Sequence, residues 1–176
     1  MMFAEERLAI IIGIDPGSRV TGFGVLRILG NQIQHVSHGV ILLDEKKKFS
    51  ERLLILSDCL QKIMTQYQPD IAVVEKIFLG KNADSAFKLG HARGISLMES
   101  HRANTQIFEY ATRVVKKGIT GKGSADKEEV RLTLLRLLGI KKIEKLDASD
   151  ALALALYHAQ RMIGESRYQR MKEVDL

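Results

Sequence analysis

The sequence contains little cysteine and no long apolar run. Its single cysteine, Cys59, excludes an internal disulfide and is typical of a protein in a reducing cytoplasm. No apolar run reaches the roughly 20 residues that a membrane helix needs. The first residues lack the basic segment and the small-residue cleavage site of a secretory signal. These absences predict a cytoplasmic protein that has no membrane partner.

The composition is that of an ordinary globular chain with an uneven distribution of charge. With 176 residues and 45% hydrophobic residues, we expect one domain over 1–176, with a core at about 8–163 and a polar, mobile tail at about 164–176. The net charge is +6, and residues 102–145 alone carry 11 Lys or Arg against 5 Asp or Glu. Such a basic stretch indicates a surface that binds a polyanion. Charge kept for solubility explains it equally well.

Hydrophobic periodicity predicts five strands and four helices. Apolar runs predict strands at residues 8–14, 23–28, 32–42, 71–75 and 105–108. Helical spacing predicts helices at 49–67 and 83–100, a third that Ser124 caps and Gly139 stops, and a last one at about 148–163 that Gly164 ends. Residues 116–123, with three glycines and three lysines, are predicted to form a loop.

The order of these elements predicts an α/β fold. Three strands joined by short turns must pair antiparallel, whereas the later strands follow helical crossovers and must pair parallel. We therefore expect a mixed five-stranded sheet with helices on both faces.

Four acidic residues lie where such a sheet would bring them together. Asp15 and Glu75 each end an apolar strand, and the carboxyl ends of parallel strands share one edge of a sheet. Asp147 and Asp150 are three residues apart, so at the start of a helix they project from one face. Taken singly, each acid has an ordinary explanation as a helix cap, a turn residue or a member of a surface ion pair.

Taken together, the four carboxylates predict a metal site. They would repel one another unless positive charge lay among them, and Mg²⁺ prefers hard oxygen ligands. The five histidines have no ligand spacing, which argues against zinc. Two Mg²⁺ ions could support hydrolysis of a phosphodiester, with Mn²⁺ as a substitute. An acidic pocket in a basic protein suits a substrate that is itself a polyanion.

Four stretches of the chain resemble one family. "GIDPGSRVTGFGV", "VVEKIFLGKNADSAFKLGHARG", "FEYATRVVKKGITGKGSADK" and "DASDALALA" occur in this order over about residues 11–155. They are similar to the RuvC family of bacterial Holliday-junction resolvases, within the ribonuclease H-like superfamily. The resemblance implies a Mg²⁺-dependent endonuclease with one or two ions per subunit. It also implies a homodimer that makes paired symmetric nicks in four-way DNA junctions, in recombination and repair, with RuvA and RuvB as partners.

The resemblance also implies roles for individual residues. Asp15, Glu75, Asp147 and Asp150 correspond to the family's catalytic and metal-binding carboxylates. Two lysines correspond to those that assist at the scissile phosphate, and five further residues are predicted DNA contacts. The lysines are Lys116 and Lys127; the predicted contacts are Phe78, which would stack on junction bases, with Lys81, Asn82, Lys117 and Lys122.

Two rival interpretations of the function stay open at this point, and two further features are assigned beside them. "GIDPGSRVTGFG" also resembles the phosphate loop of actin-like ATPases and sugar kinases, but these need a second lobe and would give Asp147 and Asp150 no task. A junction-binding module with a degenerate site is the other rival. The glycine-rich helix at 83–100 is the candidate dimer interface, and His158 is interpreted as a core or surface residue rather than a ligand.

Overall fold

A five-stranded sheet lies at the centre of the fold. The computed structural model describes residues 8–76 and 83–174, with side chains as far as residue 169. The strands are β1 (Leu8–Asp15), β2 (Val20–Leu29), β3 (Gln32–Leu42), β4 (Ile71–Glu75) and β5 (Gln106–Tyr110). The helices are α1 (Phe49–Tyr67), α2 (Ala83–Arg102), α3 (Thr112–Thr120), α4 (Lys127–Leu138) and α5 (Leu146–Val174).

The pairing of the strands confirms the predicted topology. The strand order is β3-β2-β1-β4-β5. β1 pairs antiparallel with β2, and β2 with β3, whereas β1–β4 and β4–β5 are parallel. β1 is the central strand of this mixed sheet and β4 is its parallel neighbour, so their carboxyl ends lie side by side at one edge of the sheet.

Helices cover both faces of the sheet, as predicted, because β1 is apolar on both sides. Ile11 belongs to the core under α3, α4 and α5, whereas Ile12 and Ile14 belong to the core under α1 and α2. Leu152 and Leu156 on α5 are almost fully buried, so α5 is the main covering helix of the first face. The site described below lies where the start of α5 meets the sheet.

The prediction of a loop at residues 116–123 is wrong for residues 116–120, which are helical. Residues up to Thr120 belong to α3, and only then does Gly121, with φ of +81°, end the helix in the left-handed conformation. Gly118 is a helical residue whose absent side chain makes room for a neighbour. A Cβ atom there would lie 2.3 Å from the Tyr157 ring of α5. A glycine used for close helix packing was thus taken for a loop glycine.

Two other helix boundaries also differ from the prediction. Asp126, not Ser124, caps α4, since its Oδ1 accepts a hydrogen bond of 2.7 Å from the backbone N–H of Glu129. α5 runs through Gly164 to Val174, so the predicted polar tail is helical in the part that the structure describes. An ion pair of 2.8 Å between Arg161 and Glu165 joins successive turns there. Most of the side chains at residues 164–169 are exposed, so the polar composition there reflects an exposed helix and not an unstructured tail.

The remaining strand ends shift by a few residues. β2 extends to both sides of the predicted 23–28, and β5 covers Gln106–Tyr110 instead of 105–108. In the part of the chain that the structure describes, none of the helices has the length and apolar character to cross a membrane.

Candidate active site at the carboxyl edge of the sheet

Asp15 and Glu75 are the last residues of two neighbouring strands. β1 and β4 are parallel, and their register pairs Ile14 with Val74, so the two acids that follow lie side by side. Both side chains are half-buried. The structure therefore confirms the prediction that Asp15 and Glu75 lie at the same edge of the sheet.

α5 brings the second pair of acids to the same edge because glycines let it touch the sheet. A Cβ atom on Gly22 of β2 would lie 2.0 Å from the carbonyl oxygen of Asp147, and one on Gly13 of β1 would lie 2.0 Å from that of Ala151. Neither position could carry a side chain without moving the helix. Asp147 and Asp150 lie in the first turns of α5, directly above these contacts.

The charges of these carboxylates act strongly on Asp15. Burial, a hydrogen bond with the Glu75 side chain and the charges of Glu75 and Asp150 raise the pKa of Asp15 from 3.8 to about 9, and Lys127 opposes this rise. The protonated form of Asp15 is therefore favoured beside Glu75 when no metal ion is bound. The pocket has more negative charge than its own basic residues balance.

Lys127 is the basic residue that contacts the carboxylates. Its Nζ lies 2.5 Å from Oδ2 of Asp150. Burial lowers the pKa of Lys127, but the hydrogen bond to Asp150 and the charges of Asp150, Asp15 and Asp147 outweigh burial, so the pKa is raised. Burial likewise raises the pKa of Asp150, against the lowering effect of Lys127. Lys127 thus lies within the field of three of the four predicted acids.

Two residues of α3 complete the wall of the site. Thr112 and Lys116, one turn apart, line a cleft with Glu75 and Asp150 that has a volume of about 10 Å³. The Thr112 hydroxyl donates a hydrogen bond to Oε1 of Glu75. Nζ of Lys116 donates a hydrogen bond of 2.8 Å to the carbonyl of Ala125, and its charge also lowers the pKa of Asp150.

Sequence reasoning missed Thr112 and also Arg93. Arg93 of α2 donates from Nε to the carbonyl of Glu75 at 3.3 Å, and its guanidinium pairs with Glu109 of β5. No sequence signal pointed to Thr112, because α3 itself was not predicted. Arg93 could have been noticed, because it lies in "GHARG", within one of the stretches that resemble the family. The motif does not indicate that Arg93 contacts the carbonyl of Glu75.

The carboxylates do not form a finished cation cage. Over residues 8–76 and 83–174, no three Asp, Glu, His or Cys side chains form a group that could hold a metal ion as they stand. The Lys127 ammonium neutralises part of the charge, and the raised pKa of Asp15 favours the uncharged form of that carboxyl. Carboxylate oxygens, and neither thiols nor imidazoles, are the donors on this edge, which is the ligand set that Mg²⁺ and Mn²⁺ prefer.

The predicted DNA contacts divide into two groups. Phe78, Lys81 and Asn82 lie outside the described residues. Lys117 is exposed on α3, and Lys122 is exposed just after it, where its Nζ lies 3.5 Å from Oε1 of Glu129. Lys117 therefore lies on the helix that also carries Thr112 and Lys116, and Lys122 lies two residues beyond the end of that helix.

His158 takes no part in this site. It is 4% exposed, its Nδ1 lies 2.8 Å from the Tyr110 hydroxyl, and its ring packs on Phe108 with 4.1 Å between ring centroids. Burial lowers its pKa. Of the two places that the sequence left open for His158, core or surface, the structure shows the core.

Comparisons with known proteins agree on one family. The model for "Crossover junction endodeoxyribonuclease RuvC" matches residues 11–158. The protein of that name from Bdellovibrio bacteriovorus is 51% identical over 161 residues, which cover 92% of this chain and 96% of that protein. The one from Caulobacter vibrioides is 43% identical over 167 residues, or 95% of this chain and 99% of that protein.

Solved structures give the same result. RuvC of Thermus thermophilus in complex with a Holliday junction substrate superposes with a TM-score of 0.79 at 29% identity, over 86% of this chain and 93% of that one. Another structure of Thermus thermophilus RuvC has a TM-score of 0.77 at 30% identity, over 87% and 96%. The fold and the sequence therefore lead to one conclusion: this chain belongs to the RuvC family of crossover junction endodeoxyribonucleases.

Proposed function

We propose that this chain resolves four-way DNA junctions by paired, symmetric hydrolysis of phosphodiester bonds, in homologous recombination and repair. The observation that carries the proposal is the convergence of Asp15, Glu75 and Asp150, with Lys127, at the carboxyl edge of the sheet. Its relatives are crossover junction endodeoxyribonucleases by name, and one was solved with a Holliday junction. A DNA substrate would place this activity in the bacterial cytoplasm.

Asp15, Glu75, Asp147 and Asp150 are the proposed catalytic residues and the proposed ligands of one or two Mg²⁺ ions, with Mn²⁺ as a substitute. The raised pKa of Asp15 supports this, because a proton shared between two carboxylates occupies a place that a divalent cation can take. When bound, such ions activate water and stabilise the leaving oxygen of a phosphodiester. The acids of this chain would orient that chemistry, and Thr112 would hold Glu75 in place.

Lys127 and Lys116 are the proposed electrostatic assistants at the scissile phosphate. Lys127 neutralises Asp150 in the present arrangement. Once free of Asp150, the Lys127 ammonium would be placed to contact a phosphate oxygen and stabilise developing negative charge. Lys116 lies in the same cleft as Glu75 and Asp150, so it can act on the same group.

The proposed DNA contacts are two exposed lysines of α3 and the residues after it, together with Phe78, Lys81 and Asn82. Lys117 and Lys122, which are exposed, would bind phosphates beside the cleft. Lys81 and Asn82 would do the same, and Phe78 would stack on an unpaired base at the crossover. These contacts would hold the junction without reading more than a short sequence.

We further propose that the chain works as a homodimer through α2, with RuvA and RuvB as partners in branch migration. Phe87 on α2 is 68% exposed and Met98 is 41% exposed. Between them, Gly90 and Gly94 have nothing within 4 Å of where a Cβ atom would stand. A second α2 could approach this face closely, and two-fold symmetry would match the symmetry of a four-way junction.

The test is cleavage of a synthetic four-way junction by the purified chain. We expect Mg²⁺-dependent paired nicks in the junction and little cutting of a linear duplex of the same sequence. The D15N variant should bind the junction as the unaltered chain does and fail to cut it. Cleavage by D15N at the normal rate would show that Asp15 is not a catalytic residue. If the unaltered chain binds the junction but does not cut it, the chain is a junction-binding module and not a nuclease.

A further inference from the structure

Arg93 of α2 contacts the ends of two neighbouring strands. Its Nε donates a hydrogen bond of 3.3 Å to the backbone carbonyl of Glu75, the last residue of β4. Its Nη2 pairs with the carboxylate of Glu109 on β5. In the parallel pairing of these strands, Val74 lies opposite Glu109 and Glu75 lies opposite Tyr110. One guanidinium therefore joins α2 to both strands at the edge that carries the acids.

The backbone of Glu75 needs such an anchor because the pairing of β4 with β1 ends at Val74, one residue earlier. On the side of β5, the backbone N–H of Lys76 donates a hydrogen bond of 2.8 Å to the carbonyl of Tyr110. Arg93 adds a contact from the helix layer, and this contact fixes the carbonyl of Glu75 from outside the sheet.

Glu109 holds the guanidinium of Arg93 in place. The side chain of Arg93 is 25% exposed and that of Glu109 is 38% exposed, so salt screens this pair less than it screens a fully exposed one. A planar guanidinium presents its N–H groups in a fixed fork, which lets it hold a carbonyl and a carboxylate at the same time. Because Glu109 balances the charge of Arg93, the contact with Glu75 acts mainly on position and not through net charge.

The position of Glu75 matters because its carboxylate contacts two other residues of the site. Its side chain forms a hydrogen bond with Asp15, and its Oε1 accepts one from the Thr112 hydroxyl. Arg93 reaches this group through the backbone of Glu75. Loss of a residue that orients a metal-binding side chain typically costs about 10- to 100-fold in metal affinity or activity.

We propose that Arg93, held by Glu109, is a positioning residue that fixes the carbonyl of Glu75 and so keeps the Glu75 carboxylate against Asp15. The inference rests on the proposed function, in which both of these acids bind Mg²⁺. It gives α2 a second task, since the helix with the proposed dimer face also fixes a proposed catalytic acid.

R93M tests the proposal, because methionine keeps an unbranched side chain and removes every donor. The Mg²⁺ concentration for half of the rise in Tm should increase by about tenfold or more, and single-turnover cleavage should slow by a similar factor, with junction affinity unchanged. E109Q should change both quantities in the same direction but less, since Arg93 keeps its bond to the carbonyl. The double variant R93M/E109Q should be no worse than R93M, because Glu109 acts through Arg93.

R102M is the matched control for a purely structural role. Arg102 is the last residue of the same helix, and its Nη1 lies 2.9 Å from Oε1 of the buried Glu99. It lines a cleft with Pro69, which precedes the start of β4, so it lies away from the end of that strand. Loss of this partner of a buried carboxylate should lower Tm. The Mg²⁺ requirement and the cleavage rate of R102M should remain those of the unaltered chain.

The outcomes separate this inference from the proposed function. If R93M lowers Tm but keeps the normal Mg²⁺ requirement and cleavage rate, as R102M should, Arg93 is only a structural residue and the inference is overturned. If R93M does not fold, E109Q decides in the same way, and a normal Mg²⁺ requirement in E109Q overturns the inference. If Mg²⁺ stabilises D15N as strongly as the unaltered chain and the unaltered chain does not cut, the proposed site itself is wrong and the inference falls with it.

Discussion

The carbonyl oxygen of Asp147 lies 2.0 Å from the point that a Cβ atom on Gly22 would occupy. Gly22 is also the register partner of Asp15 across β1 and β2. A single glycine therefore lets the first turn of α5 lie on the strand pair that carries Asp15. This contact fixes how far Asp147 and Asp150 stand from the two strand-borne acids.

G22A should damage the active site more than the fold. The new methyl group must push α5 away from the sheet, at an expected cost of about 1–3 kcal/mol in unfolding free energy. If α5 moves by about 1 Å, Asp147 and Asp150 move with it, and the rate of junction cleavage should fall by about 100-fold. Thermal unfolding and single-turnover cleavage measure the two effects separately.

G164A is the matched control for that substitution. Gly164 is an exposed residue within α5, with nothing within 4 Å of where its Cβ atom would stand. Alanine there should raise the unfolding free energy by about 0.5–1 kcal/mol and leave cleavage unchanged. Equal rates for G22A and G164A would show that the approach of α5 does not control the site.

The raised pKa of Asp15 predicts how metal-free stability depends on pH. In the unfolded chain this carboxyl titrates near 3.8, and in the folded chain near 9. Between these values the folded state binds one more proton than the unfolded state, so stability falls as pH rises. Tm measured in EDTA should therefore decrease from mildly acidic to alkaline pH.

D15N is the comparison for that pH series, because asparagine cannot titrate. Its Tm in EDTA should change less with pH than that of the unaltered chain, and it should be the more stable of the two at alkaline pH. Mg²⁺ should stabilise the unaltered chain increasingly as pH rises, since the ion competes with the proton. Parallel pH profiles for the two proteins would contradict the assignment of the shared proton to Asp15.

The sheet could be predicted from the apolar runs of the sequence, and two of the four site carboxylates could be predicted from the acids that end those runs. The apolar runs that finish on Asp15 and Glu75 predict two buried parallel strands, and parallel strands bring their last residues to one edge. The same argument predicts Asp147 and Asp150 only as a pair on one helix face. Their distance from the sheet depends on Gly13 and Gly22, whose packing role does not show in a one-dimensional pattern.

The missed features all depend on contacts between distant segments. Gly118 fits inside α3 because the ring of Tyr157 fills the space beside it, and a sequence window cannot contain both residues. Thr112 becomes a site residue only once α3 starts beside Glu75. His35 and His38 of β3, whose facing ring nitrogens lie 2.8 Å apart, share one face of the sheet because a β-bulge at Val36 interrupts the strand.

Thr112 should matter through its hydrogen bond to Glu75. T112V keeps the shape of the side chain but removes the donor, so we expect about tenfold slower cleavage and a higher Mg²⁺ requirement. T112S restores a hydroxyl and should recover most of the rate. The Mg²⁺ concentration for half-maximal cleavage, with Mg²⁺-dependent stabilisation as a second measure, distinguishes this role from packing. A T112V variant with the normal cleavage rate and Mg²⁺ requirement would show that the hydroxyl of Thr112 contributes nothing.

Lys127 should contribute to the chemical step more than to DNA affinity. Its ammonium contacts Asp150 at 2.5 Å and lies in the field of Asp15 and Asp147, so it is placed to meet a phosphate at the carboxylates. K127Q should slow junction cleavage by about 100-fold, because it removes a charge that stabilises the transition state. K62Q, an exposed lysine on α1 across the sheet, is the control and should cleave normally. If K127Q loses junction affinity by as much as it loses rate, Lys127 binds the DNA backbone and does not assist the reaction.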